Sequence, residues 1–95
     1  MCKAIESARN IGPVTGAALR RIGVSTVAAL EQMGWEEAWL RLCQSNPGYG
    51  YLHLLCGYAL LGAIEDIDWL RLPEERKQDV KRVKREIQRD LRNRA

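Results

Sequence analysis

Residues 10–19 read NIGPVTGAAL and predict a tight turn that leads directly into a helix. Asn10 and Gly12 are residue types that adopt left-handed or otherwise strained backbone conformations, and we expect Gly12 to hold one that is closed to residues with a β-carbon. Pro13 suits the first helical position because its missing N–H is not needed there. The N–H groups of such a first turn lack backbone partners and attract phosphate or carboxylate groups.

Outward from this turn the sequence predicts helices and no strands. Asn10 is predicted as the left-handed cap that ends a short first helix, and Gly23 and Gly34 end the next two. Ser25 is predicted as the N-cap of the third helix, and the run Asn46-Pro47-Gly48 breaks the chain after the fourth. The predicted helices span residues 2–9, 13–22, 26–33, 35–45, about 50–65 and 73–93. We therefore predict an all-α fold, a compact bundle of five to six helices with a long basic C-terminal helix.

Apolar spacing predicts which helix faces are buried. The helix from about residue 50 to 65 is apolar almost all round and is therefore expected at the centre, with Gly57 and Gly62 allowing close approach of another helix. The helix before it places two tryptophans on one apolar face, so we expect them in the core rather than stacked on nucleic-acid bases. That face consists of Trp35, Ala38, Trp39, Leu42 and Cys43.

Size and composition indicate one small globular domain. The chain has 95 residues, of which 46% are hydrophobic and 28% charged. Cys2, Cys43 and Cys56 lack paired spacing and are expected to be reduced thiols of a cytoplasmic protein, two of them in the core. The N-terminus does not resemble a signal peptide, and the longest apolar run, residues 54–64, is too short to span a membrane. We expect no membrane association.

The charge is concentrated in the last predicted helix. Residues 76–94 carry a net charge of +6 and the remainder −3. A narrow apolar stripe, Val80, Val83, Ile87 and Leu91, runs along the same helix. Ile87 and Leu91 begin about 20 Å beyond Pro73, and we expect them to be exposed unless a second chain covers them. This predicts a homodimer through the C-terminal helix, with basic side chains facing outward.

The sequence offers no chemistry for catalysis or for a cofactor. His53 is the one histidine and is expected to be a partly buried polar residue at the start of the central helix. No Ser or Cys motif accompanies it, and one histidine with three scattered cysteines does not form a paired metal-ligand motif. The carboxylates at 65, 66 and 68 are expected to lie in a solvated loop. We predict a non-enzymatic protein with no cofactor, metal or catalytic residue.

The turn at residues 10–19 resembles the helix-hairpin-helix pattern. Asn10 stands at the first Gly, Ile11 at the apolar position, Gly12 at the second Gly, Gly16 at the Ala and Leu19 at the closing apolar position. The alternative is a plain helix corner that packs Ile11 inward. The resemblance implies phosphate or DNA contacts from Asn10, Gly12, Val14, Thr15, Arg20 and Arg21.

Over residues 8–77 the chain resembles the C-terminal domain of the bacterial competence regulators called TfoX or Sxy. The resemblance is carried by Asn10-Ile11-Gly12-Pro13, Leu19, Gly23-Val24, Thr26, Leu30, Gly34, Ala38, residues 52–64 with Gly62-Ala63, Trp69 and Leu72-Pro73. It implies a fold similar to helix-hairpin-helix and sterile-alpha-motif domains. Full-length members help switch on DNA-uptake genes and carry an N-terminal domain before this one. We expect residues 1–77 to form this domain, residues 78–95 to be a basic helical extension of it, and the chain to be a stand-alone version or a fragment.

Two functions follow as hypotheses. The first is a regulatory interaction module that binds a protein, such as a regulator or the N-terminal domain of the family. The alternative is sequence-independent DNA binding, expected to be weak, through the hairpin and the basic helix. The residues predicted for an interface or basic patch on that helix are Lys81, Arg82, Lys84, Arg85, Ile87, Arg89, Leu91 and Arg92.

Overall fold

The computed structural model describes residues 3–46 and 50–94. Within them the chain forms five α-helices: α1 (Pro13–Arg21), α2 (Val27–Met33), α3 (Trp35–Ser45), α4 (Leu54–Glu65) and α5 (Glu74–Arg94). Two 3-10 turns, Ile5–Ser7 and Trp69–Arg71, precede α1 and α5. The predicted all-α class is confirmed. Cys2 and most of the predicted break, Pro47 and Gly48, lie outside the described residues.

The start of the chain pairs with the loop before α2. The Ile5 N–H donates to the Ser25 carbonyl at 3.1 Å, and the Val27 N–H donates to the Lys3 carbonyl at 2.9 Å. Because these backbone groups pair with the loop before α2, the helix predicted over residues 2–9 is reduced to a single 3-10 turn. Asn10 ends this segment with a φ of 74°, the left-handed conformation that was predicted.

The boundaries of α2 differ slightly from prediction. Thr26, not Ser25, is the N-cap, since its hydroxyl oxygen accepts the Ala29 N–H at 3.1 Å. The Ser25 carbonyl instead accepts the Ile5 N–H. Gly34 is the single residue between α2 and α3. Its φ of 89° is a conformation that favours glycine.

Helix α4 is the central element and packs against α2, α3, α5 and the second 3-10 turn. It begins at Leu54, later than predicted, because His53 caps it: His53 Nδ1 accepts the Leu55 N–H at 3.1 Å. His53 is exposed, so its predicted partial burial is wrong. At Gly57, a β-carbon would lie 2.6 Å from both the Trp39 ring and a Val80 methyl, which explains the glycine.

The core is built around Trp39, which is fully buried. Its Nε1–H donates to the Tyr51 carbonyl at 2.7 Å, and its ring stacks on that of Trp35 with centroids 6.3 Å apart. Both tryptophans therefore belong to the core, as predicted. Burial raises the pKa of the Cys43 thiol to about 11 and that of Cys56 to about 12, so both remain protonated at neutral pH.

The apolar stripe of α5 packs against the body of the protein along most of its length. Val80, Val83 and Ile87 are at most 3% exposed, and Leu91 is partly buried. The predicted exposure of Ile87 and Leu91 is thus wrong. The reason is that α3 runs alongside α5 for longer than expected, and Gln44 near its end hydrogen-bonds to Asp90 at 3.3 Å. This burial removes the reason for which a homodimer was predicted.

Candidate functional site

The hairpin before α1 is held by Asn10 rather than by Gly12. Gly12 has a φ of −95° and a ψ of −178°, an extended conformation open to other residues, and a β-carbon there would meet no atom within 4 Å. The expected strained backbone at Gly12 is therefore wrong. The left-handed residue of the hairpin is Asn10.

The side chain of Asn10 joins the hairpin to the connector after α4. Its Nδ2 donates to the Ile67 carbonyl at 2.9 Å, and its Oδ1 accepts the Trp69 N–H at 3.2 Å. The amide is thus engaged within the fold at both of its polar ends. Gly62 lies beneath this contact, where a β-carbon would collide with the Ile67 carbonyl oxygen and with Asn10 Nδ2.

Of the two arginines predicted at the hairpin, one is paired. Arg20 makes a two-point ion pair with Glu6, with N–O distances of 2.6 and 2.7 Å. Glu6 also lies over Gly16, where a β-carbon would be 2.7 Å from its Cγ; this explains why glycine stands where the helix-hairpin-helix pattern has alanine. Arg21 is exposed and has no ion pair in the described part of the chain.

The hydrogen bond and charge of Arg20 hold the pKa of Glu6 at about 2, below its ordinary value of 4.5. A carboxylate with a lowered folded-state pKa stabilises the fold above its unfolded pKa and loses this effect as the pH falls through its folded pKa. We expect Glu6→Gln to be less stable than the wild type at pH 7, and the difference to vanish between about pH 4.5 and pH 2. Urea unfolding at a series of pH values measures it.

The matched control is Glu31→Gln, which removes an exposed carboxylate that has no ion pair among the described residues. Its stability relative to the wild type should not follow the same pH course. A Glu6→Gln difference that persists undiminished at pH 2 would contradict the role assigned to the ion pair.

A groove of about 500 Å³ lies between the first turn of α1, the first half of α4 and the second 3-10 turn. We call it the α1–α4 groove. Asp68 shapes one wall, because its carboxylate accepts the Leu70 N–H at 3.0 Å and so fixes the 3-10 turn. The residues that line the groove include Thr15, His53, Leu55, Cys56, Trp69 and Leu70.

The described chain has three exposed large hydrophobic residues, of which two line this groove. They are Val14 at 61%, Leu55 at 41% and Leu70 at 67% exposure. Leu55 and Leu70 line the groove, whereas Val14 lies in the first turn of α1 and is not among the lining residues. The α1–α4 groove thus has an apolar lining at Leu55 and Leu70.

Helix α5 presents most of the predicted basic residues without partners. Lys81, Lys84, Arg85, Arg89 and Arg92 form no ion pair within residues 3–46 and 50–94, and the three arginines among them are exposed. Arg82 differs, since it pairs with Glu86 at 2.9 Å and Asp79 at 3.8 Å. Ile87 belongs to the core and Leu91 is partly buried, so neither adds an exposed apolar contact to this patch.

Among the described residues, no group of three or more His, Cys, Asp or Glu side chains is placed to hold a metal ion. Across residues 3–46 and 50–94, no helix has both the length and the apolar composition that crossing a bilayer requires.

The amino-acid sequence that forms these helices and the hairpin matches one known family. The family model of the TfoX C-terminal domain matches residues 1–83. The chain belongs to this family. The match to the TfoX C-terminal domain reaches beyond residue 77 and includes the first part of α5 with Val80 and Val83. The protein is therefore related to the regulators of competence.

Two solved structures share the fold of this TfoX C-terminal domain. One is the triclinic crystal form of an uncharacterized protein from Listeria monocytogenes, 28% identical, covering 90% of this chain and 93% of its own, with a TM-score of 0.81. The other is the tetragonal form of a Listeria monocytogenes protein of unknown function, 29% identical, covering 87% and 99%, with a TM-score of 0.79. No curated protein matches the chain.

Proposed function

We propose that this TfoX C-terminal domain is a non-enzymatic regulatory module that binds a partner protein through the α1–α4 groove. The observation that carries the proposal is that two exposed leucines, Leu55 and Leu70, line one groove. Exposed apolar residues that cluster in this way are typical of interaction sites, whereas scattered ones are not. Membership of a family of competence regulators supports a role in cytoplasmic transcriptional control.

The chemistry of the groove favours an apolar segment of the partner. Its volume of about 500 Å³ accommodates two or three aliphatic side chains. The Cys56 thiol is neutral because burial raises its pKa to about 12, so it adds apolar rather than charged surface. We therefore expect a short segment with leucine-type anchors, as in other grooves that accept amphipathic peptides. The partner is a regulator of the same system or the N-terminal domain that full-length family members carry.

A peptide-display selection against the folded protein tests the groove. The selected peptides should carry two or more aliphatic residues, and their binding should shift the amide resonances of Thr15, Cys56 and Trp69. Leu70→Asp should weaken their binding at least about 10-fold, the effect of losing one anchor contact. Because Leu70 is 67% exposed, the same change should leave the melting temperature nearly unaltered.

Arg71→Asp is the matched control. Arg71 is the exposed neighbour of Leu70 in the same 3-10 turn but does not line the groove. Its replacement should change peptide affinity less than about 2-fold, within the small effects of surface substitutions. Equal binding by Leu70→Asp and the wild type, or resonance shifts confined to another surface, would refute the proposal.

A further inference from the structure

We infer that α5 carries a second binding surface, which holds the phosphate backbone of double-stranded nucleic acid without reading its sequence. The surface consists of Lys81, Lys84, Arg85, Arg89 and Arg92, and we call it the basic side of α5. It is separate from the α1–α4 groove and does not depend on what that groove binds.

The charges of α5 are segregated around the helix. At 100° per residue, the acidic residues Asp79, Glu86 and Asp90 share one flank, whereas the basic side of α5 occupies the opposite flank and the outer face. The acidic flank borders α3, as the Gln44–Asp90 hydrogen bond shows. Between Lys81 and Arg92 the basic side extends about 16 Å along the axis, the rise of about five base pairs of duplex.

The clustering of these cations does not stabilise α5. Lys81 and Arg85, and likewise Arg85 and Arg89, are spaced i,i+4, where like charges destabilise a helix. By contrast, Arg82 forms the ordinary i,i+4 pair with Glu86. Among the described residues these cations have no ion pair, and their concentration on one side of a helix favours binding of an external polyanion.

The composition of the basic side of α5 favours duplex nucleic acid over a protein, a membrane or a single strand. Protein interfaces need an apolar centre, and none of the exposed large hydrophobic residues of the described chain lies on α5. Membrane helices bury an apolar face in lipid, but the stripe of α5 is already committed to the core. Single-stranded nucleic acid is bound by aromatic stacking, and α5 contains no aromatic residue. Phosphate contacts need only the cations.

The hairpin offers fewer groups for binding phosphate than the basic side of α5 does. The Asn10 amide is hydrogen-bonded to the connector and Arg20 is paired with Glu6, so of the two hairpin arginines Arg21 alone lacks an ion pair among the described residues. The basic side of α5 offers five cations without ion pairs in the described chain. We therefore place nucleic-acid contact on α5.

Fluorescence anisotropy with a labelled random 24-base-pair duplex, at about 25 to 200 mM salt, tests the inference. We expect log affinity to fall linearly with log salt, with a slope of about −3, the value for three to four phosphate contacts. Arg85→Gln with Arg89→Gln should reduce the slope by about 2 and weaken binding at least about 10-fold at low salt. The melting temperature of this double variant should be equal to or higher than that of the wild type, because like-charge repulsion is removed.

The control, Arg21→Gln with Arg71→Gln, makes the same change in net charge away from α5. It should alter duplex affinity less than about 2-fold. Equal losses in the two double variants would overturn the inference, since they would indicate the hairpin or net charge alone. So would a salt-independent affinity, tighter binding of the single strand, or competition by polyglutamate as effective as that by unlabelled duplex.

Discussion

Gly62→Ala is expected to lower the free energy of unfolding by about 3 kcal/mol, although it adds a single methyl group. The new β-carbon would collide with the Ile67 carbonyl oxygen, a backbone atom that cannot rotate away. It would also displace Asn10 Nδ2 and so break the hydrogen bond that this group donates to Ile67. Over-packing costs about 1–3 kcal/mol and each lost hydrogen bond about 1 kcal/mol more. Urea unfolding followed by circular dichroism measures the loss.

Gly12→Ala is the matched control for this prediction. Gly12 has an extended backbone and free space around its α-carbon, so the same substitution should alter stability by less than about 1 kcal/mol. If both alanine variants unfold at the same urea concentration, the close packing assigned to Gly62 is wrong.

Trp39→Ala is expected to have the largest effect of any single truncation, about 3–5 kcal/mol. The ring is fully buried and lies beside Gly57 and Val80, so its removal leaves a large cavity in the core. Since a domain of this length has a total stability of about 5–14 kcal/mol, the variant should be partly unfolded at 37 °C. Differential scanning calorimetry measures it.

Trp39→Phe separates packing from hydrogen bonding in the same position. It keeps most of the ring volume but removes the Nε1–H that donates to the Tyr51 carbonyl, which retains the His53 N–H as its other donor. We expect a loss of about 1–2 kcal/mol, less than half that of Trp39→Ala. Equal losses in the two variants would show that the hydrogen bond, not the buried volume, dominates.

Local signals in the sequence were sufficient for most helices. The Pro13 start, the Gly23 and Gly34 stops and the apolar spacing of α3 predicted α1 and α3 closely, because caps and periodicity act within one or two turns. The first segment was mispredicted because its backbone pairs with the loop before α2, far along the chain. No pattern within residues 2–9 contains that information.

The errors at the candidate sites also arise from contacts between distant residues. The hydrogen bonds of Asn10 cross 57 and 59 positions of the sequence, and they, not the turn itself, determine what this residue does. Burial of Ile87 depends on α3 lying beside α5. The α1–α4 groove was missed because Leu55 and Leu70 come from two separate segments, and each alone resembles an ordinary apolar position. The free basic residues of α5 were found because charge is a local property.

The inner stripe and the outer face of α5 place different constraints on changes in its sequence. Its inner stripe, Val80, Val83 and Ile87, fixes the rotation of the helix on the body. Substitutions on the outer face can therefore add or remove cations without disturbing the fold. A one-residue insertion between Val80 and Val83 is different, because it would turn everything after it by 100° and bring cations toward the core. The fold therefore fixes the length of this stretch, whereas the composition of the outer face is constrained only by what that face binds.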